Sequence, residues 1–288
     1  MRNLDEHTIT QAVLERFSNT PDPRLKEIIF SLVQHLHDFA REVRLTEEEW
    51  LEGIKFLTRA GHITDDKRQE FILISDTLGL SMLTVAMNNQ KPEGCTEATV
   101  VGPFHVENAP VYNLGDDVGN GAIGAPCFVK GTIKGLGGEP VPGAHIEVWQ
   151  SDEDGMYDVQ KPNLDHAQGR GVLKADAEGN YYFKSILAVA YPIPHDGPVG
   201  DMLVATKNHP WRPAHLHFRI QAPGQRPLIT HIFDRTSKNL SSDAVFGVRP
   251  SLIADFKPQT PGSAPDGKVM DRDFFTLEYN FVMTDALK

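Results

Sequence analysis

The stretch Arg212-Pro213-Ala214-His215-Leu216-His217-Phe218-Arg219-Ile220 decides how the fold is read. Leu216, Phe218 and Ile220 alternate with His215, His217 and Arg219, the period-two pattern of a β-strand, whose successive side chains point to opposite faces. The two histidines then project side by side from one face, and the three apolar residues point into a core on the other. Pro213 stands where a strand can begin, since proline is tolerated at the first residue but not inside the ladder. Two imidazoles on one face can reach a single cation. They are also compatible with a solvated pair, or with one core histidine held by hydrogen bonds, so further ligands have to come from elsewhere in the chain.

Working outward, the segments Cys127–Ile133, His145–Gln150, Gly179–Ser185, His215–Ala222 and Ile229–Phe233 read as short strands. Leu136-Gly137-Gly138 and Ala177-Glu178-Gly179-Asn180 between them carry turn chemistry. Short strands at this spacing predict a β-sandwich. The first hundred residues read differently. Leu25, Ile28, Ile29, Leu32, Val33, Leu36, Phe39, Ala40 and Val43 recur at helical spacing. Asp22 and Pro23 can cap and open that helix, and Thr46 with Glu49 forms a capping box for the next, which continues through Trp50, Leu51, Ile54 and Leu57 and is expected to end at Gly61. A further helix is expected from about Asp65 to Met87. Such faces cannot remain bare in water, so the stripe is covered either by this chain or by a second copy. The character of the chain changes between Asn88 and Gly124. The expectation is a mainly β protein: a helical N-terminal region over residues 1–105 and a C-terminal β-sandwich over 106–288.

Composition narrows the function. The 288 residues are 40% hydrophobic and 23% charged with a net charge of −11, and no basic block stands out, which disfavours a nucleic-acid partner and favours a small molecule. No apolar run approaches the ~18 residues of a membrane span. The two cysteines, Cys95 and Cys127, are too few for a disulfide framework and lack zinc spacing. With an opening that carries Asp5, Glu6 and His7 and no apolar signal segment, a cytoplasmic location is expected.

Two tyrosines supply further candidate ligands. Tyr157 lies in Asp152-Glu153-Asp154-Gly155-Met156-Tyr157-Asp158, and Tyr191 in Ala190-Tyr191-Pro192-Ile193-Pro194-His195-Asp196-Gly197-Pro198. Pro192 and Pro194 stiffen the backbone around Tyr191. Taken singly, each tyrosine reads as a structural packing residue rather than a functional one. Together, Gly155-x-Tyr157, Tyr191-Pro-Ile-Pro-x-Asp-Gly-Pro and Arg212-Pro-Ala-His215-x-His217-Phe resemble the combined motif of the intradiol ring-cleaving dioxygenases, over nearly the whole chain and most closely in the hydroxyquinol and catechol 1,2-dioxygenase branch.

The resemblance implies one non-haem Fe(III) per subunit, held by Tyr157, Tyr191, His215 and His217. Phenolate is a hard anionic donor suited to a ferric ion, and neutral imidazole suits several metals. The resemblance also implies catalytic parts for Tyr191, as the ligand that yields to substrate and takes a proton, for Arg212, which holds negative charge on the ring, and for His231, which stands where catechol enzymes usually carry glutamine. By position, the substrate pocket is Leu73, Asp76, Val100, Val101, Gly102, Pro103, Phe104, Ile193, Pro194 and Val245, mostly apolar as an aromatic ring requires. The implied reaction cleaves hydroxyquinol with O2 between its vicinal hydroxylated carbons, with catechol or chlorocatechol as alternative substrates. The implied assembly is a homodimer through the N-terminal helices, with a phospholipid in the helical tunnel. The rival readings are a transthyretin-like β-sandwich binding module, suggested by Pro140-Val141-Pro142-Gly143-Ala144, and a colourless zinc hydrolase.

Overall fold

A computed structural model describes residues 3–65 and 68–286. By internal packing the chain divides into two units, Met1–Arg59 and Ala60–Lys288. In the first, α1 (Ile9–Phe17) lies against α2 (Pro23–Glu42), with Thr10 Oγ1 at 2.9 Å from His37 Nδ1. Asp22 caps α2 as expected, accepting hydrogen bonds from the backbone N–H groups of Arg24 and Leu25. Thr46 and Glu49 cap α3 (Glu47–Ile63) reciprocally. The stripe of α2 is not intramolecular core: no residue of α2 is buried, and Leu25, Ile28, Leu32, Leu36 (55% exposed), Phe39 and Val43 all face outward.

Two helical expectations are corrected. Helix α3 does not stop at Gly61 but runs on to Ile63. A side chain at Gly61 would meet nothing within 4 Å, and the Thr64 hydroxyl takes up the Ala60 carbonyl at the true end. The expected Asp65–Met87 helix, two of whose residues lie outside the described ones, is α4 (Glu70–Thr77) followed by α5 (Leu80–Asn88), bent by 76°. Gly79 at φ +75° makes the break, a conformation that glycine adopts without steric penalty. No single helix among the described residues is long and apolar enough to cross a membrane, although α4 and α5 together are apolar by composition.

The second unit holds α4, α5 and α6 (Pro198–Ala205) together with the strands. These are β1 (Pro126–Gly135), β2 (His145–Trp149), β3 (Arg170–Lys174), β4 (Asn180–Ile186), β5 (Tyr191–Pro192), β6 (Trp211–Arg212), β7 (His215–Gln221), β8 (Leu228–Asp234), β9 (Ile253–Ala254), β10 (Lys257–Gln259), β11 (Gly262–Ser263), β12 (Val269–Met270), β13 (Phe274–Glu278) and β14 (Phe281–Met283). One sheet is built on β1, antiparallel to β4 and parallel to β13 and then β14, with β10 outside β13. The other runs β3-β2-β7-β8-β9. Leu216, Phe218 and Ile220 of β7 enter the core between them, where they join Val129, Ile133, Tyr181, Phe183, Leu277 and Phe281. The mainly β class and the sandwich are as the strand pattern predicts. The histidine face of β7 is buried as well, with His215 and His217 each 1% exposed.

Candidate active site

Strand register sets the first three side chains in a row. His217 of β7 pairs with Trp149 of β2 on one side and His231 of β8 on the other, so all three project from the same face of the sheet. Trp149 stacks flat on the His217 ring at 4.6 Å between centroids, and His231 meets it edge-on at 4.2 Å. His215, two residues along, stands on the same face, with its Nε2 at 3.1 Å from His217 Nε2.

The tyrosines arrive from loops. After β2, Asp152 folds the chain back by accepting hydrogen bonds from the backbone N–H groups of Asp154 and Met156. Gly155 turns it at φ +75°, where an added Cβ would lie 2.8 Å from Tyr191 Cβ. Two independent constraints thus demand glycine there. Tyr157 is locked by Gln160, whose side chain accepts from its backbone N–H, by Phe104 stacked on its ring at 4.5 Å, and by the buried Asp158–Arg170 ion pair, whose guanidinium also donates to the Phe104 carbonyl at 2.9 Å. Tyr191 is fixed by the two-stranded β5–β6 ribbon, in which it pairs with Arg212. The two phenol oxygens lie 3.2 Å apart, and Tyr157 Oη lies 2.9 Å from His217 Nε2. Two phenols and two imidazoles therefore converge on one buried point.

The protonation chemistry suits a cation. His215 Nδ1 lies 2.7 Å from the Pro213 carbonyl, which fixes the tautomer with the proton on Nδ1 and leaves the Nε2 lone pair free, the arrangement expected of a metal-binding histidine. Burial, and then the Arg212 charge, push the His215 pKa down to about 3. Burial and the neighbouring histidines push that of His217 far down, so both rings are neutral donors. Burial, followed by Tyr191, drives the Tyr157 phenol well above its ordinary range. A bound cation reverses that preference directly. The nitrogens of His215, His217 and His231 also lie within 4.8 Å of one another. His231 Nε2 is buried without a hydrogen-bond partner, while its Nδ1 lies 3.4 Å from Arg212 Nη2. The donor set thus fits a single metal ion.

Around this point the chain assembles an apolar wall. Leu73, Val100, Ile193 and Val245 form one cluster, and Gly102 brings its backbone close to the His217 ring. Leu73, Pro103, Phe104, Ile193 and Pro194 line a cavity of about 530 Å³. Val101 is 39% exposed and belongs to neither group. Asp76 on α4 is 2% exposed, and its Oδ1 has no partner. Burial raises its pKa, opposed by a hydrogen bond from Ser81 and by the Arg212 charge. Trp149, Asp158, Arg170 and Asp243 support the site but escape the sequence reading. Only Trp149 had a usable signal, since pairing the predicted His145–Gln150 and His215–Ala222 strands sets it beside His217.

Fold and site together define a β-sandwich protein with a buried metal-type centre of mixed phenol and imidazole donors. Comparison with known proteins gives the family. Residues 100–285 match the dioxygenase family and residues 22–96 the catechol dioxygenase N terminus. The chain is 58% identical over 287 residues to 6-chlorohydroxyquinol 1,2-dioxygenase of Cupriavidus pinatubonensis, covering all of both chains. It is 52% identical to hydroxyquinol 1,2-dioxygenase of Rhodococcus opacus over 96% of this chain and 93% of that one. Among solved structures, hydroxyquinol 1,2-dioxygenase of Pseudomonas putida superposes with a TM-score of 0.89 at 45% identity, covering 98% of this chain and 99% of that one. The chain belongs to the intradiol ring-cleavage dioxygenases.

Proposed function

We propose that the protein is an Fe(III)-dependent hydroxyquinol 1,2-dioxygenase: it joins benzene-1,2,4-triol to O2, breaks the bond between the vicinal hydroxylated carbons, and yields 3-hydroxy-cis,cis-muconate, the tautomer of maleylacetate. The observation that carries the substrate is Asp76, a buried carboxylate with an unpartnered oxygen in a helix whose Leu73 packs with the Val100, Ile193 and Val245 wall. A carboxylate so placed is costly unless something bonds it, and the third hydroxyl of the triol is such a donor. The relatives that act on hydroxyquinols support the same choice.

Tyr157, Tyr191, His215 and His217 would hold the iron, two phenolates offsetting much of the ferric charge. When bound, the ferric ion supplies a Lewis-acidic centre that chelates the ring diol as its dianion and makes a ring carbon reactive toward O2. The protein's own groups do the rest. Tyr191, held in the short β5–β6 ribbon outside the two main sheets, would yield its place to a substrate oxygen, and its Oη would accept one of the two substrate protons. Arg212, charged at every working pH, sets its guanidinium beside His215 and His231 and stabilises negative charge that grows on the ring. His231, whose Nε2 is buried without a hydrogen-bond partner, would bond an oxygen of the reacting ring. Phe104 and Trp149 keep bulk water from the donors, which strengthens each of these interactions. The exposed α2 stripe supports a homodimer formed through the N-terminal helices, whose paired apolar faces can also take up a phospholipid chain. Oxygen uptake by the purified protein with hydroxyquinol, catechol and 4-chlorocatechol tests the assignment. Hydroxyquinol should give the highest kcat/KM; a preference for plain catechol would make the protein a catechol 1,2-dioxygenase instead.

A further inference from the structure

We infer that Asp243 is the positioning residue for Arg212: it grips one edge of the guanidinium and thereby aims the other at the reacting ring. The inference rests on the part given to Arg212 above. Arg212 is 3% exposed, and its Nε and Nη2 meet the Asp243 oxygens at 3.0 and 3.3 Å. This is the two-pronged match of a planar guanidinium with a carboxylate, which fixes orientation as well as distance. With that edge held, Nη1 comes to lie 3.3 Å from His215 Nε2, and Nη2 also reaches toward His231 Nδ1. His215 Nε2 is the one acceptor found for Nη1 among the described residues, so a metal that takes that lone pair would leave this N–H available to a bound ring diol. A long arginine side chain without this grip has many rotamers. The carboxylate selects one.

Asp243 is itself tied to the strand that carries Arg212. The backbone N–H groups of Val245 and Gly247 donate to its two oxygens at 3.4 and 2.9 Å, and that of Ala244 donates to the Trp211 carbonyl at 3.1 Å. The turn is tight enough to hold Phe246 at φ +59°, a conformation that a non-glycine residue keeps only where its surroundings impose it. Gly247 leaves just the room required: an added Cβ would sit 3.1 Å from Asp243 Oδ2 and 3.2 Å from Arg212 Nη2. The same turn delivers Val245 to the apolar wall with Leu73, Val100 and Ile193. One carboxylate therefore sets both the charge and one side of the pocket against the ring.

The test is a double-mutant cycle on the metal-loaded enzyme, measuring kcat and KM for hydroxyquinol with Arg212→Ala, Asp243→Asn and the pair. Asp243→Asn should lower kcat by roughly 10- to 100-fold, the usual cost of removing a partner that orients a functional group, with KM much less affected. The double variant should lose no more than Arg212→Ala alone, because a group that acts through arginine has nothing to act through once arginine is gone. Guanidinium chloride at millimolar concentration should restore part of the activity of Arg212→Ala but none of the double variant, since the carboxylate that would seat the added cation is missing. If Asp243→Asn does not fold, Gly247→Ala, whose methyl presses between carboxylate and guanidinium, replaces it in the cycle with the same expected non-additivity. An unchanged kcat in Asp243→Asn, or a loss that multiplies in full onto Arg212→Ala, overturns the inference while leaving the part of Arg212 intact. An unchanged kcat in Arg212→Ala overturns both and is read from a different variant.

Discussion

Replacing Asp76 by leucine should make the protein more stable and a poorer enzyme for the triol, and both changes follow from one oxygen atom. Asp76 is 2% exposed, and Oδ1 has no hydrogen-bond partner. A buried acceptor left unsatisfied costs about 1–3 kcal/mol. Leucine is close in size, favours the helix, and extends the apolar contacts of Leu73, so the variant should recover most of that cost and melt a few degrees higher near neutral pH. The sign of the pH dependence is set by the upward shift that burial gives this carboxyl. Below its unfolded-state pKa the group is neutral in both states and brings no charge penalty. As pH rises through the raised native pKa the penalty appears, so the advantage of Asp76→Leu should grow with pH and shrink in acid. Catalysis should move the other way. A hydrogen bond from the substrate's third hydroxyl to a charged acceptor contributes about 1.5–3 kcal/mol, which corresponds to roughly 10- to 10²-fold in kcat/KM. Hydroxyquinol turnover should fall by that factor while catechol turnover holds, narrowing the ratio between them. Melting curves across pH and oxygen-uptake kinetics on both substrates decide it. A variant less stable than wild type at neutral pH, or an unchanged substrate ratio, would refute the reasoning from the unpartnered oxygen.

Two further outcomes are expected. Changing Leu32 and Leu36, both half exposed on α2, to glutamate should shift the protein from dimer to monomer in sedimentation without loss of the sandwich; a wild-type monomer at micromolar concentration would contradict the assembly. Gly155→Ala should destabilise the protein by about 1–2 kcal/mol for the left-handed backbone alone, and by more because the added methyl meets Tyr191; a melting temperature within error of wild type would mean that the Tyr157 loop adapts.

Much of this was legible in the sequence, and the limits have physical reasons. Local rules found what is local. The alternation through His215–Ile220 is strand β7, Asp22 caps α2, and Thr46 with Glu49 caps α3, each within a few residues of the signal that announced it. Glycine was the ambiguous sign. Gly61 looked like a helix terminator but lies inside α3, which runs on to Ile63, whereas Gly79 looked like helix interior and breaks it at φ +75°. Propensity does not say which of the two conformations tertiary packing will select. In the site, the motif named the four donors that the fold draws together, but the groups that hold them came only from the structure. Asp243 lies 31 residues from Arg212, and Arg170 lies 66 from the Phe104 carbonyl it donates to. Contacts at such separations leave no periodic trace in a single sequence.

The central claim is a ferric ion held in part by tyrosinate, and the most direct measurement is the visible absorption spectrum of the purified protein set beside its metal content. One iron per subunit should accompany a charge-transfer band that makes the protein red to purple, and Tyr157→Phe should lose either the iron or the band, because a phenyl ring offers no donor. A colourless wild type carrying zinc, or an iron-replete Tyr157→Phe with an unchanged band, would contradict the account.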